Sequence, residues 1–167
     1  MTGVLVVVGG LPGVGKTTVA RAVAGRLPAA HLRIDTFEAA LVRLGLLTAG
    51  GVGAQGYDLA LAAAGTCLTA GTDVVLDAVF GAAAARRPVR DLAAAHGADV
   101  HWLRLICTDP AEHRRRVTDR TADLAGHVVP TWPQVQARRV DQWHERHTVV
   151  DTAAGDPVAA VLSALAR

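Results

Sequence analysis

Eight residues near the start of the chain have the types and spacing of a phosphate cradle. Gly10-Leu11-Pro12-Gly13-Val14-Gly15-Lys16-Thr17 matches G-x-x-x-x-G-K-[ST] at every fixed position. Glycines at these points let the backbone curl until its N–H groups face inward, toward phosphate oxygens. A helix starting behind Gly15 adds the positive end of its dipole. In such a loop Lys16 reaches the β- and γ-phosphates of a nucleoside triphosphate, Thr17 offers its hydroxyl to Mg²⁺, and Thr18 lies beside the α-phosphate. Of the 17 basic residues Lys16 is the only lysine; the others are arginines. Arginine replaces lysine on most surfaces, but not where a compact ammonium must enter a phosphate cradle.

The flanking elements are those the loop needs. Val4 to Val8 is a continuous apolar, β-branched run, the pattern of a strand buried on both faces of a parallel sheet. From Lys16 to Leu27 the apolar residues recur at helical spacing, and Pro28 ends the helix. A short strand over 31–34 and a helix from Asp35 to Leu44 follow. Residues 45–57 hold five glycines and no charge, and read as a loop. A helix over 58–70, a strand at Val74–Leu76 closing on Asp77, a helix over 82–96 broken or capped near Pro88, and a strand over 100–107 come next. Pro110 to Arg120 reads as a basic helix, 121–130 as a loop and 131–146 as a helix carrying Trp132 and Trp143. A last strand at 149–151 and a closing helix over 157–167 complete the series. Strands alternating with helices predict a parallel α/β sheet whose strand ends share one edge, where ligands bind.

Bulk properties exclude other classes. The length of 167 residues suits a single domain, and a 51% hydrophobic content suits a folded core. A formal charge of +2 does not describe a nucleic-acid binder. Cys67 and Cys107 are too few for a disulfide framework and read as buried thiols. No charged leader precedes Val4, and its apolar run is too short to span a membrane, so the cytoplasm is the expected location. A guanine-reading Asn-Lys-x-Asp motif is impossible with a single lysine. Asp77 is the candidate metal-side carboxylate, and Ala78 follows it where many ATP hydrolases carry a water-activating glutamate. There is no room for the extra helical domain of AAA+ motors. These absences favour transfer of a phosphoryl group to a hydroxyl.

The chain resembles the small P-loop kinases grouped with chloramphenicol phosphotransferase, polynucleotide 5′-kinase and gluconate kinase, AAA-type P-loop phosphotransferases. The resemblance rests on Gly10 to Thr18, Ile34-Asp35-Thr36, Val74 to Phe80, Arg116 to Arg120 and Val149 to Thr152. It implies a three-layer P-loop NTPase fold. The sheet would have five parallel strands in the order 2-3-1-4-5, with helices on both faces and a small helical lid near 114–131. It implies ATP and Mg²⁺ as cofactors, Thr17 and Asp77 on the metal side, Asp35 as acceptor of the hydroxyl proton, and Arg116 and Arg120 closing over the phosphates. Asp35-x-x-Glu38 also fits a helix capping box. Adenine is expected beside Asp151 and residues 153–156.

The acceptor is expected against residues 36–73. No basic residue lies between Arg43 and Arg86, whereas sites for anionic acceptors collect Arg or Lys. Phe37, Leu41, Leu44, Leu46, Leu47, Tyr57 and Leu61, with Thr48, Gln55 and Asp58 as polar points, favour a neutral or cationic hydroxylated molecule such as an antibiotic. A polynucleotide or nucleoside 5′-kinase and a regulatory ATPase that transfers nothing are the competing readings.

Overall fold

The computed structural model describes residues 3–48, 51 and 53–166. Ala49, Gly50 and Val52 of the expected loop, and Arg167 of the expected closing helix, lie outside them. The elements run β1 (Val4–Gly9), α1 (Lys16–Arg26), β2 (Ala30–Arg33), α2 (Ile34–Arg43), α3 (Gln55–Thr69), β3 (Val74–Asp77), α4 (Ala83–His96), β4 (Asp99–Ile106), α5 (Pro110–Thr118), α6 (Trp132–Gln136), β5 (His147–Asp151) and α7 (Pro157–Leu165). The strands form one sheet in the order β2-β3-β1-β4-β5, with every pairing parallel.

The side-chain period of two in β1 builds both cores. Leu5 and Val7 face Val74, Leu76 and Trp102 and the helices α3 and α4. Val6 and Val8 face Val75, Leu103 and Leu105 and the helices α1 and α7. All four β1 side chains are at most 1% exposed. Each stabilises the fold by about 1.5–3 kcal/mol through burial. Register then fixes the site, because Val8 pairs with Asp77 and Asp77 pairs with Arg33. Two charged residues therefore stand level with the last apolar residue before the phosphate loop. Among the described residues no helix is long and apolar enough to cross a membrane.

Several expectations are corrected. The helix expected over 131–146 is only Trp132–Gln136. Beyond it the backbone bonds elsewhere: Asp141 N–H donates to the Gly81 carbonyl at 2.9 Å, and the Gln142 carbonyl accepts from Arg86 at 2.7 Å. Trp143 is buried edge-on against Trp102, outside any helix. Pro88 lies inside an unbroken α4. The helix expected from Asp58 begins at Gln55. Leu44 and Leu46, expected to line a pocket, are 67% and 65% exposed. Cys67 and Cys107 are half-buried free thiols rather than fully buried ones.

Candidate functional site

The phosphate loop joins β1 to α1. Gly13 has φ +83°, and a Cβ there would collide with the Val117 side chain. Gly15 has φ +94° and stands at the N-cap of α1. Both need the left-handed region that glycine enters freely. α5 and α7 are capped by Asp109 and Asp156, whose side chains accept from the first backbone N–H groups. α1 has neither a side-chain cap nor an acidic residue in its first turn. Its N-terminal N–H groups and dipole are thus left for an external anion.

Two contacts brace the loop from outside. His113 Nε2 lies 2.8 Å from the Pro12 carbonyl, and its ring meets Trp132 edge-on. Thr152 Oγ1 lies 2.7 Å from the Val14 carbonyl, which accepts its hydroxyl, and it receives Arg116 Nη1 at 2.9 Å. Arg116 also donates to Glu112 at 2.7 Å. The structure therefore places Arg116 beside Gly15 and Thr152, outside the cavity described next. Asp151 accepts from the Thr108 and Ala153 backbones, so it shapes the loop after β5.

A cavity of about 310 Å³ opens in front of the phosphate loop. It gathers Pro12, Lys16, Thr17, Asp35, Asp77 and Arg120 from the expected set. Lys16 Nζ donates to the Leu11 carbonyl at 2.9 Å. Burial of its ammonium pushes its pKa down to about 8, although Asp77 and Asp35 pull it upward. Asp77 is 2% exposed, and its Oδ2 lies 3.3 Å from His31 Nε2.

Asp35 is not a strand end; it is the second residue of α2. The N-cap is Arg33, with no side-chain cap bond, so the expected capping box does not form. Instead Asp35 Oδ2 accepts from Arg33 Nε at 3.2 Å and Nη2 at 2.9 Å. Arg120 and His127 approach the same oxygen at 3.9 and 3.7 Å.

Further residues gather in and around the cavity. Arg33, 7% exposed, is not among the cavity-lining residues; it is shared between Asp35 and Asp123, the latter ninety residues along the chain from it. His127, Arg138, Glu38 and Tyr57 line the cavity as well. Tyr57 accepts the Phe80 N–H, and burial pushes its pKa up to about 12. Of the apolar set expected for the acceptor, Tyr57 lines this cavity, whereas Phe37 and Leu61 pack against the core.

The fold is shared with solved structures. A candidate kinase from Chloroflexus aurantiacus superposes with a TM-score of 0.80 at 20% identity, covering 99% of this chain and 98% of that one. A gluconokinase from Sinorhizobium meliloti gives 0.67 at 22%, covering 98% and 92%. Kti12 from Chaetomium thermophilum, in complex with ADP-AlF3, gives 0.70 at 18%, covering 96% of each chain. No curated protein matches the sequence significantly. Residues 5–150 match the AAA domain family, and with its phosphate loop at the head of a 2-3-1-4-5 sheet the chain belongs to that family.

Proposed function

We propose that the protein is an ATP-dependent kinase that transfers the γ-phosphoryl group to a hydroxyl of a small molecule. The observation that carries this reading is the shared cavity: Asp35 opens into the same space as Lys16, Thr17 and Asp77. A hydrolase needs a positioned water, whereas a carboxylate facing a roomy pocket suits an acceptor hydroxyl. The likeness to a gluconokinase supports it.

In this reading the backbone of residues 10–15 and the N–H groups of Lys16, Thr17 and Thr18 hold the phosphates. The Lys16 ammonium neutralises charge on the transferring group, and Arg120 does so from the opposite wall. Thr17 and Asp77 are hard oxygen donors that would hold Mg²⁺. When bound, Mg²⁺ supplies charge neutralisation at the phosphate oxygens. Asp35 orients the acceptor hydroxyl and takes its proton. Arg116, held by Glu112 and Thr152, stabilises the nucleotide side, and the loop after Asp151 receives the adenine. Residues 1–167 form one domain whose lid spans about 114–131, acting in the cytoplasm.

The test is ADP release from Mg-ATP with a panel of sugars, nucleosides and antibiotics. Stimulation by a hydroxylated acceptor, lost in Lys16→Ala and Asp35→Asn, is the expected result. Labelling of a 5′-hydroxyl oligonucleotide alone replaces it with a polynucleotide kinase. Turnover with no acceptor, insensitive to Asp35→Asn, replaces it with a regulatory ATPase.

A further inference from the structure

Glu38 stands out among the acids. Asp35, Asp73, Asp77, Glu112, Glu145 and Asp151, the others that are not solvent-exposed, each have a bonded partner. Glu38 is half-buried in the cavity wall and has no hydrogen bond or ion pair among the described residues. Arg138 influences it only from a distance, and burial raises its carboxyl above the usual range.

The fold makes room for this unpaired group. The Glu38 side chain crosses the first turn of α3 at Gly56, where a Cβ would collide with Glu38 Cγ. Gly56 has no positive φ to require glycine, and a glycine inside a helix costs about 0.5–1 kcal/mol relative to alanine. The small residue is thus explained by the space that Glu38 occupies. An unpaired carboxylate near a triphosphate is unfavourable unless a cation sits on it. Bound phosphates would claim Lys16 and Arg120, and Arg138, though it lines the same cavity, makes no ion pair with Glu38 among the described residues, so a cation carried by the second substrate suits the carboxylate. Oxygens of Asp35 and Glu38 and a ring nitrogen of His127 all lie within 4.8 Å of one another. A hydroxyl on Asp35 and an ammonium on Glu38 would therefore be close neighbours in one molecule. A divalent metal suits the place less well, since the guanidinium of Arg33 already occupies Asp35 and that of Arg120 stands beside it.

We propose that Glu38 is the specificity-determining residue of the acceptor end. It selects a 1,2- or 1,3-amino alcohol, whose ammonium pairs with Glu38 while its hydroxyl meets Asp35. This rests on the kinase reading above for the fate of the hydroxyl, but not for the binding of the amine.

The experiment pairs acceptors that differ only at nitrogen: glucosamine, N-acetylglucosamine and glucose, with 2-deoxystreptamine as an aminocyclitol. Transfer is followed by ADP release, and binding by calorimetry in the presence of Mg-AMPPNP. The free amine should exceed its acetylated and deaminated partners by at least about tenfold in kcat/KM, as a charged hydrogen bond allows. Glu38→Gln should bring that ratio near one. Gly56→Ala, which displaces Glu38 by steric contact, should lower the same ratio and serves if the first variant folds poorly. Glu38-dependent amine binding without phosphorylation would sink the kinase reading and leave this one standing. Equal use of neutral acceptors, a preference that survives Glu38→Gln, or no amine binding at all would overturn it. So would tight Mn²⁺ or Zn²⁺ binding lost in both Glu38→Gln and His127→Ala.

Discussion

Arg33 grips Asp35 by one oxygen: Nε and Nη2 both donate to Oδ2, and among the described residues nothing donates to Oδ1. The guanidinium fixes the carboxylate, while the other oxygen stays open to a ligand.

This arrangement gives the first prediction. Asp35→Asn keeps the shape but loses the base, so transfer should fall by about 10²–10⁴-fold. Nucleotide affinity, measured by calorimetry, should stay within about twofold, well under 1 kcal/mol. Equal transfer in the variant would remove Asp35 from the chemistry.

Lys16 gives a pH prediction. Its pKa is about 8 in the free protein against an ordinary 10.5. Bound phosphates favour the ammonium. Below pH 8 the lysine is already charged and nucleotide binding takes up no proton. From pH 8 toward 10.5 binding should take up a proton at Lys16, and affinity should weaken as pH rises. The uptake is measured by calorimetry in buffers of different ionisation enthalpy, with Lys16→Met as the control that shows none. A proton stoichiometry of zero at pH 9 would contradict it.

Asp77→Asn tests the metal side. The carboxylate is nearly inaccessible and touches His31. If it orients a Mg²⁺-bound water, the Mg²⁺ concentration for half-maximal turnover should rise by about tenfold or more. Nucleotide binding without Mg²⁺ should not change. An unaltered Mg²⁺ titration would assign Asp77 to a structural role.

Asp123 tests the proposed lid. Its carboxylate is half-exposed and held by Arg33, which keeps it below the usual carboxylate range. Asp123→Ala should change stability by no more than about 1 kcal/mol. It should speed proteolytic cleavage within 119–131 and lower kcat. A cleavage rate that does not move would show that this ion pair does not hold the segment.

Arg86 tests the frame. It is fully buried, donates to the Phe80, Gly81 and Gln142 carbonyls and to Glu145, and lies over the Trp143 ring at 5.0 Å. It also holds Phe80 at φ +47°, a costly conformation for a bulky residue. Arg86→Met should destabilise by about 3–5 kcal/mol in urea unfolding, because the Phe80 and Gln142 carbonyls lose their partner and Glu145 is left with Arg90 at 3.8 Å. A loss under about 1 kcal/mol would mean that the site relaxes around the change.

The phosphate loop and the two-sided core were legible because each follows from local chemistry, whereas the strand order came with the family resemblance. Glycine spacing reports backbone shape, and an unbroken apolar run reports burial on both faces. Long-range partnership left no such trace. Nothing near Asp123 in the sequence points to Arg33. Residues 137–146 continue a helical pattern, yet the Asp141 N–H and the Gln142 carbonyl bond to Gly81 and Arg86 instead. Asp35-x-x-Glu38 fits a capping box, but an N-cap at Arg33 turns one acid toward a guanidinium and leaves the other in the cavity.

The bond between Thr152 and Val14 has a kinetic consequence. With His113 on Pro12 and Arg116 on Thr152, it makes the phosphate loop, α5 and the loop after β5 one braced unit before any ligand arrives. Nucleotide would find its seat already built and forfeit little entropy on landing. Under the proposed kinase reading, the acceptor would meet residues 119–131, tied to Arg33 by the half-exposed Asp123, and its ordering cost would fall on the second arrival. An ordered sequence is then expected, with nucleotide first on and last off.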